Sequence, residues 1–305
     1  MKVILTHEQA DMDALASQLG AWLLYPKALP ILPRNINRNG RQYLARFEKD
    51  LPYIEYEEMP RNPIDTVFLV DTQSLITLKG MSEETRVVVY DHHPLRENLD
   101  SDWELHLVEA GSNVSQMIAL IREQGIRLNM LQATTLALGL YEDTGSFTYG
   151  STSEADLQAA AFCLSQGADL DVVSQFLYPP LSTEQRMLYD RLMKRIQTYI
   201  INDQTILVAK ADANDVQDEI SSVAHKMRSV LNPDALLLLV STPQGIRLVA
   251  RSTSDQVDVS AIAETMGGGG HKRAASALIR PDKHLNQAQI QHYLDVCFEN
   301  LVSHM

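Results

Sequence analysis

Four short apolar runs rich in β-branched residues constrain this chain more than any other feature, because each is cut off at once by polar or acidic residues. They are Val3 to Thr6, Val67 to Val70, Val87 to Tyr90 and, more weakly, Leu105 to Val108. Such runs suit strands buried on both faces. Around them lie segments with helical spacing: Asp13 to Leu24, Ser112 to Glu123 with Ser112 placed to cap, and Leu131 to Tyr141. Strands alternating with helices imply an α/β fold in which a mainly parallel sheet is flanked by helices.

A chain of 305 residues suits two domains, each able to bury a core. A further helical pattern, Ser153 to Gln166, ends at Gly167, and Pro179-Pro180 then breaks the periodicity before Ser182-Thr183-Glu184 opens an amphipathic segment reaching about Ile196. This predicts a larger α/β domain over 1–180, a linker helix over 181–197 and a smaller α+β domain over 198–305. In the last, Thr198 to Asn202 and Thr205 to Ala211 flank Asn202-Asp203, and Ala235 to Ser241 and Ile246 to Arg251 flank Thr242 to Gly245, two hairpin signals. Helical patterns at Asp215 to Val230, Val259 to Met266 and Asn286 to Val302 complete it.

Hydrophobic residues at 45% and charged residues at 21% describe a globular chain. Cys163 and Cys297 stand apart in apolar helical patterns and read as reduced core residues. With no apolar run of the ~18 residues a bilayer requires and no signal-peptide pattern, the expectation is a cytoplasmic protein without membrane contact. The net charge of −13 opposes a long duplex nucleic acid partner, which needs an extended basic face. A short anionic substrate fits better. Residues 1–197 hold 17 basic and 27 acidic side chains, so most of the excess acid lies in the first part.

That acid is delivered at the C-terminal ends of the strands, where α/β sheets place their ligands. After Leu5 come His7, Asp11 and Asp13; after Val70, Asp71; after Tyr90, Asp91, His92 and His93; and Asp143 follows Tyr141-Glu142. Taken singly, each has an ordinary explanation as a cap, a turn or a satisfied polar group. Together, five aspartates and three histidines on one sheet edge would repel unless cations neutralised them. Carboxylate and imidazole donors without thiolate favour two divalent ions, Mn²⁺ first, with Mg²⁺, Co²⁺ or Zn²⁺ as alternatives. Two such ions ~3.5–4 Å apart suit hydrolysis at phosphorus.

These residues resemble the four motifs of the DHH phosphoesterases, in order: His7-Glu8-Gln9-Ala10-Asp11-Met12-Asp13, the post-strand Asp71, Asp91-His92-His93, and Asp143-Thr144-Gly145-Ser146-Phe147. The resemblance implies one ion held by His7, Asp11 and Asp71 and a second by Asp13, Asp71, His92 and Asp143. It places His93 beside the substrate, either to bind the scissile phosphate or to protonate the leaving oxygen, and makes Asp91 the group that orients the histidines. Ala10 and Met12 depart from the family's frequent Pro and Gly without removing a ligand.

In the second part, Gly267-Gly268-Gly269-Gly270-His271 follows a helical pattern. It reads either as a C-cap with a flexible turn or as a loop whose backbone N–H groups approach an anion, with His271, Lys272 and Arg273 adding donors. With Asp258 to Ala263 before it and Arg273-Ala274-Ala275 after it, the tract resembles the DHHA1 domain, although Ser276 replaces a common Gly. That resemblance implies a substrate-binding set of Arg251, Ser252, Gly268, Gly269, Gly270 and His271.

The expected substrate is a short single-stranded oligonucleotide or nucleotide. Members of this organisation resemble nanoRNases that release 5′-mononucleotides, some also acting on 3′-phosphoadenosine 5′-phosphate. Open alternatives are a cyclic or linear di-adenylate phosphodiesterase, the first module of a poly(A) polymerase or tRNA nucleotidyltransferase fusion, an inorganic pyrophosphatase, a RecJ-type exonuclease, and a sensing module that has lost catalysis. A homodimer is left open.

Overall fold

The β-branched runs pair side by side in the computed structural model, which describes residues 1–177, 180–216, 220–254, 256–280 and residue 292. The chain divides into two units, Met1–Pro179 and Pro180–Met305.

In the first unit, strands β1 (Lys2–Leu5), β2 (Ala28–Pro30), β3 (Thr66–Val70), β4 (Arg86–Asp91) and β5 (Glu104–Leu107) form one sheet in the order β2-β1-β3-β4-β5. Every neighbouring pair is parallel. β2 has three residues and carries Pro30 at the sheet's edge, where a missing N–H costs little, and its brevity hides it from periodicity. Helices α1 (Met12–Leu24), α2 (Arg38–Phe47), α3 (Asn113–Glu123), α4 (Met130–Asp143), α5 (Glu154–Ser165) and α6 (Leu170–Leu177) all place buried residues in a single core on one face. The other face closes over Val3, Leu5, Val67, Leu69, Val87 and Val89 with residues from β2, loops and short turns, among them Ile31, Ile64 and Leu78.

Two glycines set how closely the central helices cross. A Cβ on Gly20 of α1 would meet Met117 Cβ of α3 at 2.6 Å, and one on Gly139 of α4 would meet Ala16 Cβ of α1 at 2.7 Å and Met12 O at 2.9 Å. Close helix approach therefore brings the first turn of α1 against α4. Local signals agree with the helix starts: Asp11 accepts from Ala14 N at 3.0 Å, and Asn129 with Gln132 and Ser153 with Asp156 form capping boxes. Buried Cys163 has its thiol pushed up to about 12 by burial.

In the second unit, α7 (Thr183–Met193) packs Leu188 and Leu192 into the core formed by β7 (Gln204–Asp212), β8 (Ala235–Thr242) and α8 (Ile220–Leu231). The predicted linker segment thus covers one face of this unit's sheet. β6 (Gln197–Ile201) joins β7 through Asn202-Asp203, whose φ angles of 50° and 61° suit a primed turn. β9 (Gly245–Ser252), α9 (Val259–Thr265), β10 (Gly269–His271) and β11 (Ala274–Ile279) complete a mixed sheet ordered β10-β11-β9-β8-β7-β6, in which only β7 and β8 run parallel. Apart from residue 292, the helical pattern at 286–302 with Cys297, and residues 217–219 of the 215–230 pattern, lie outside the described residues.

Candidate metal centre

Each candidate ligand of the first unit leaves the end of a strand or helix, and the parallel register places those ends together. Asp11 caps α1 and Asp13 stands in its first turn; Asp71 follows β3; Asp91 ends β4 and precedes His92 and His93; Asp143 is the last residue of α4. Three groups of ligand atoms each lie within 4.8 Å of one another: His7, Asp11 and Asp71; Asp13, His92 and Asp143; and Asp71, His92 and His93. Asp71 links them, with Oδ2 3.4 Å from His7 Nε2 and Oδ1 3.4 Å from His92 Nε2. His92 Nε2 also stands 3.4 Å from Asp143 Oδ2 and 3.9 Å from Asp13 Oδ2.

Two histidines are held in the orientation a ligand requires. His7 Nδ1 lies 2.8 Å from Glu8 O and His92 Nδ1 lies 3.1 Å from Ala110 O. A carbonyl can only accept, so each Nδ1 carries the proton and each neutral ring turns its Nε2 lone pair toward carboxylates. Lone pairs facing carboxylates repel unless a proton or a cation lies between them. Without a cation the protons stay. His7 is raised to about 9, chiefly by its Asp71 hydrogen bond, and His92 rises to about 10 because Asp71 and Asp13 outweigh burial, which lowers it.

The carboxylates carry the same tension. Burial and the neighbouring Asp71 and Asp143 charges raise Asp13 well above the ordinary range; burial and Asp71 raise Asp11; and burial lifts Asp143 to about 7 despite His92. Burial pulls Asp71 upward, but the two facing imidazoles of His7 and His92 together outweigh it and hold Asp71 below the ordinary range. Its Oδ1 is buried and accepts no hydrogen bond from the described residues. Buried oxygen donors that repel one another, with imidazole lone pairs aimed among them, fit divalent cations.

His93 is arranged differently. Its Nδ1 donates to Asp91 Oδ1 at 2.8 Å, which raises its pKa and leaves Nε2 available, and the side chain is 57% exposed. Asp91, 1% exposed, also accepts from His92 N at 2.9 Å and from Gln73 Nε2 at 2.8 Å. These bonds hold Asp91 below the ordinary range although burial raises it. The pocket over these groups has a volume of about 450 Å³, and Thr72, Gln73 and Arg96 line it beside the ligand candidates.

The supporting residues are largely ones that the sequence pattern did not single out. Ser112 precedes α3 as expected, but its hydroxyl makes no capping bond. It donates to Asp13 Oδ1 at 2.9 Å, and the N–H groups of Asn113 and Val114 donate to Asp13 at 2.9 and 3.1 Å. Asp13 thus occupies the anion-favouring N-terminus of α3, replacing the cap. Glu142 accepts from Met12 N at 2.7 Å and from Asn39 Nδ2 at 3.1 Å, tying α1 to the end of α4. Gln73 lies only two residues after Asp71, yet nothing in its spacing announces its partners.

The remaining predicted residues belong to the second unit. Arg251 is on β9 opposite Ala274, its Nη1 donating to Ala250 O at 2.9 Å. Ser252 is 1% exposed, and its hydroxyl lies within hydrogen-bond reach of Asp234 O and Ser254 O, so it is engaged in holding the turn after β9. The glycine run is a connection of fixed shape rather than a loose turn. Gly267, at φ +74°, ends α9; a Cβ on Gly268 would meet Ser276 O at 2.2 Å; and Gly270, at φ +148°, enters the β10–β11 hairpin. Gly269 has open space around it, and His271 is exposed near the hairpin's tip.

Two family models match the chain. The model described as "DHH family, N-terminal domain" matches residues 2–140, and that of the DHHA1 domain matches residues 203–295. The chain is 34% identical to an A-adding tRNA nucleotidyltransferase of Geobacter sulfurreducens, over 92% of this chain but 32% of that protein. It is 26% identical to the cyclic-di-AMP phosphodiesterase GdpP of Geobacillus thermodenitrificans, over 90% of this chain and 44% of that one. It is also 26% identical to the bifunctional oligoribonuclease and PAP phosphatase NrnA of Thermus thermophilus, over 91% and 83% of the two. The chain therefore spans about a third of the length of the first of these relatives.

Proposed function

Because the chain belongs to the DHH family of phosphoesterases and carries a DHHA1 domain, we propose that it hydrolyses short oligoribonucleotides to 5′-mononucleotides at a centre of two divalent ions, Mn²⁺ first among them. The observation that carries this reading is Asp71: a buried carboxylate set between two imidazoles, its Oδ2 3.4 Å from His7 Nε2 and its Oδ1, which accepts no hydrogen bond among the described residues, 3.4 Å from His92 Nε2.

His7, Asp11 and Asp71 would hold one ion, and Asp13, Asp71, His92 and Asp143 the other. When bound, the ions supply positive charge that polarises the phosphoryl group and acidifies water. The chain's own residues do the rest. Asp91, held by Gln73, fixes the His93 ring through Nδ1 and favours its protonated form. His93 Nε2 would then donate its proton to the leaving oxygen as the phosphorus–oxygen bond to that group breaks, while the attacking water oxygen forms the new bond and releases one proton to solvent, from which His93 is reprotonated. In the second unit Arg251 and His271 would bind the nucleotide portion. Gly268, whose closeness to Ser276 and Ala277 admits no Cβ, would keep the hairpin in register for them.

A panel assay of the purified chain with Mn²⁺ tests this, using RNA of two to five nucleotides, 3′-phosphoadenosine 5′-phosphate, cyclic and linear di-adenylate, and pyrophosphate. Oligoribonucleotides should turn over fastest. A clear preference for cyclic di-adenylate or pyrophosphate would reassign the substrate, and no turnover of any would overturn the reading. The 34% identity to an A-adding tRNA nucleotidyltransferase favours a second reading, that this chain corresponds to the phosphoesterase portion of a longer nucleotide-adding protein. Under it, the 3′ end of tRNA is the substrate cleaved best.

A further inference from the structure

Arg96 carries the only permanent positive charge among the residues that line the metal pocket. Among the described residues it makes hydrogen bonds but no ion pair. Its place is set by Gln73, which is 3% exposed. Gln73 Oε1 accepts the Arg96 backbone N–H at 2.8 Å, while Nε2 donates to Asp91 Oδ2 at 2.8 Å and approaches the carbonyls of His93 and Pro94 at 3.3 and 3.2 Å. The turn from His93 to Arg96 is thereby tied to the segment after β3.

The side chain is held as well. Arg96 Nη1 donates to Ser74 Oγ, leaving most of its five-donor fork for another acceptor. A planar guanidinium so held recognises phosphate oxygens well. Depth decides which phosphate it meets. Asp71 and Asp91 form the floor at 4% and 1% exposure, and Arg96 is exposed at the mouth. On the phosphoesterase reading the scissile phosphate would sit at this floor, so the anion within reach of Arg96 would be the neighbouring one.

We propose that Arg96 is a specificity-determining residue that binds the phosphate next to the scissile one, so that this site prefers substrates with two adjacent phosphates over those with one. The inference rests on the phosphoesterase reading above.

The test compares two dinucleotides, pApA with two phosphates and ApA with one, on the full chain with Mn²⁺. Arg96→Gln should lower the ratio of their kcat/KM values by about 10- to 100-fold, the range of one charged hydrogen-bonding group. Arg96→Lys should recover part of it, keeping the charge without the fork. An unchanged ratio, or an equal loss for both dinucleotides, overturns the proposal. A wild-type chain inactive on both would overturn the phosphoesterase reading instead. Calorimetric binding of adenosine 3′,5′-bisphosphate against adenosine 5′-monophosphate to wild type and Arg96→Gln then decides Arg96 separately, since loss of the bisphosphate preference supports it and its persistence refutes it.

Discussion

Asp71 adopts φ +57°, a left-handed conformation uncommon for a residue with a side chain. Such strain persists where the surroundings over-determine it, and here the Asp71 N–H donates to Tyr90 O at 2.9 Å. Asp71→Asn keeps the shape and removes the charge; it should reduce turnover about 100-fold or more and weaken Mn²⁺ binding at both positions. Kinetics with a calorimetric Mn²⁺ titration check this, and near-normal activity with two ions bound would remove Asp71 as the bridge. Gln73→Leu keeps the volume but frees Asp91 and the His93 turn. A loss of about 10- to 100-fold in kcat is expected, with an altered pH profile as His93 loses its fixed partner; an unchanged profile would mean that Gln73 only fills space. The candidate ligand residues could be singled out because each stands just after a strand run or at one end of a helix. Gln73, Glu142 and Ser112 were not, because their partners lie 18, 130 and 99 residues away and no local spacing encodes them.

Among elements, the α1–α4 crossing sets the distance between Asp13 and Asp143. Gly139→Ala would push a Cβ against Ala16 and Met12 O, destabilising the first unit by about 1–3 kcal/mol and displacing the first turn of α1. Denaturant unfolding and Mn²⁺ affinity should both fall, and a variant with full stability and affinity would mean that the crossing is looser than the backbone suggests. Strand and helix runs with clear periodicity were readable. β10 was not, since Gly269 and Gly270 have low strand propensity and pair only because β11 is beside them. Nor were α2 and α6, whose short amphipathic patterns sit among polar loop residues.

For the molecule as a whole, the first unit holds buried like charges in balance through protonated histidines, and a cation should relieve that. Ligand that binds only the folded state stabilises it by about 2.7 kcal/mol at 100 times Kd. Mn²⁺ should therefore raise the Tm of chelator-treated protein by several degrees, with a much smaller rise in Asp71→Asn. An equal rise in both would place the stabilising ion elsewhere. Among the described residues no helix is long and apolar enough to cross a membrane. By itself the sequence determined the α/β class, the order of the four motifs and which ionisable groups stand at the ends of strands and helices, because strand runs, turn residues and chain-end positions are local facts. Only the tertiary structure decided that Asp13 rests on the start of α3, that Gln73 ties Asp91 to the turn carrying Arg96, and that the glycine run is a fitted hairpin. Those follow from contacts between segments distant in the chain, whose geometry is set by helix crossing and strand register.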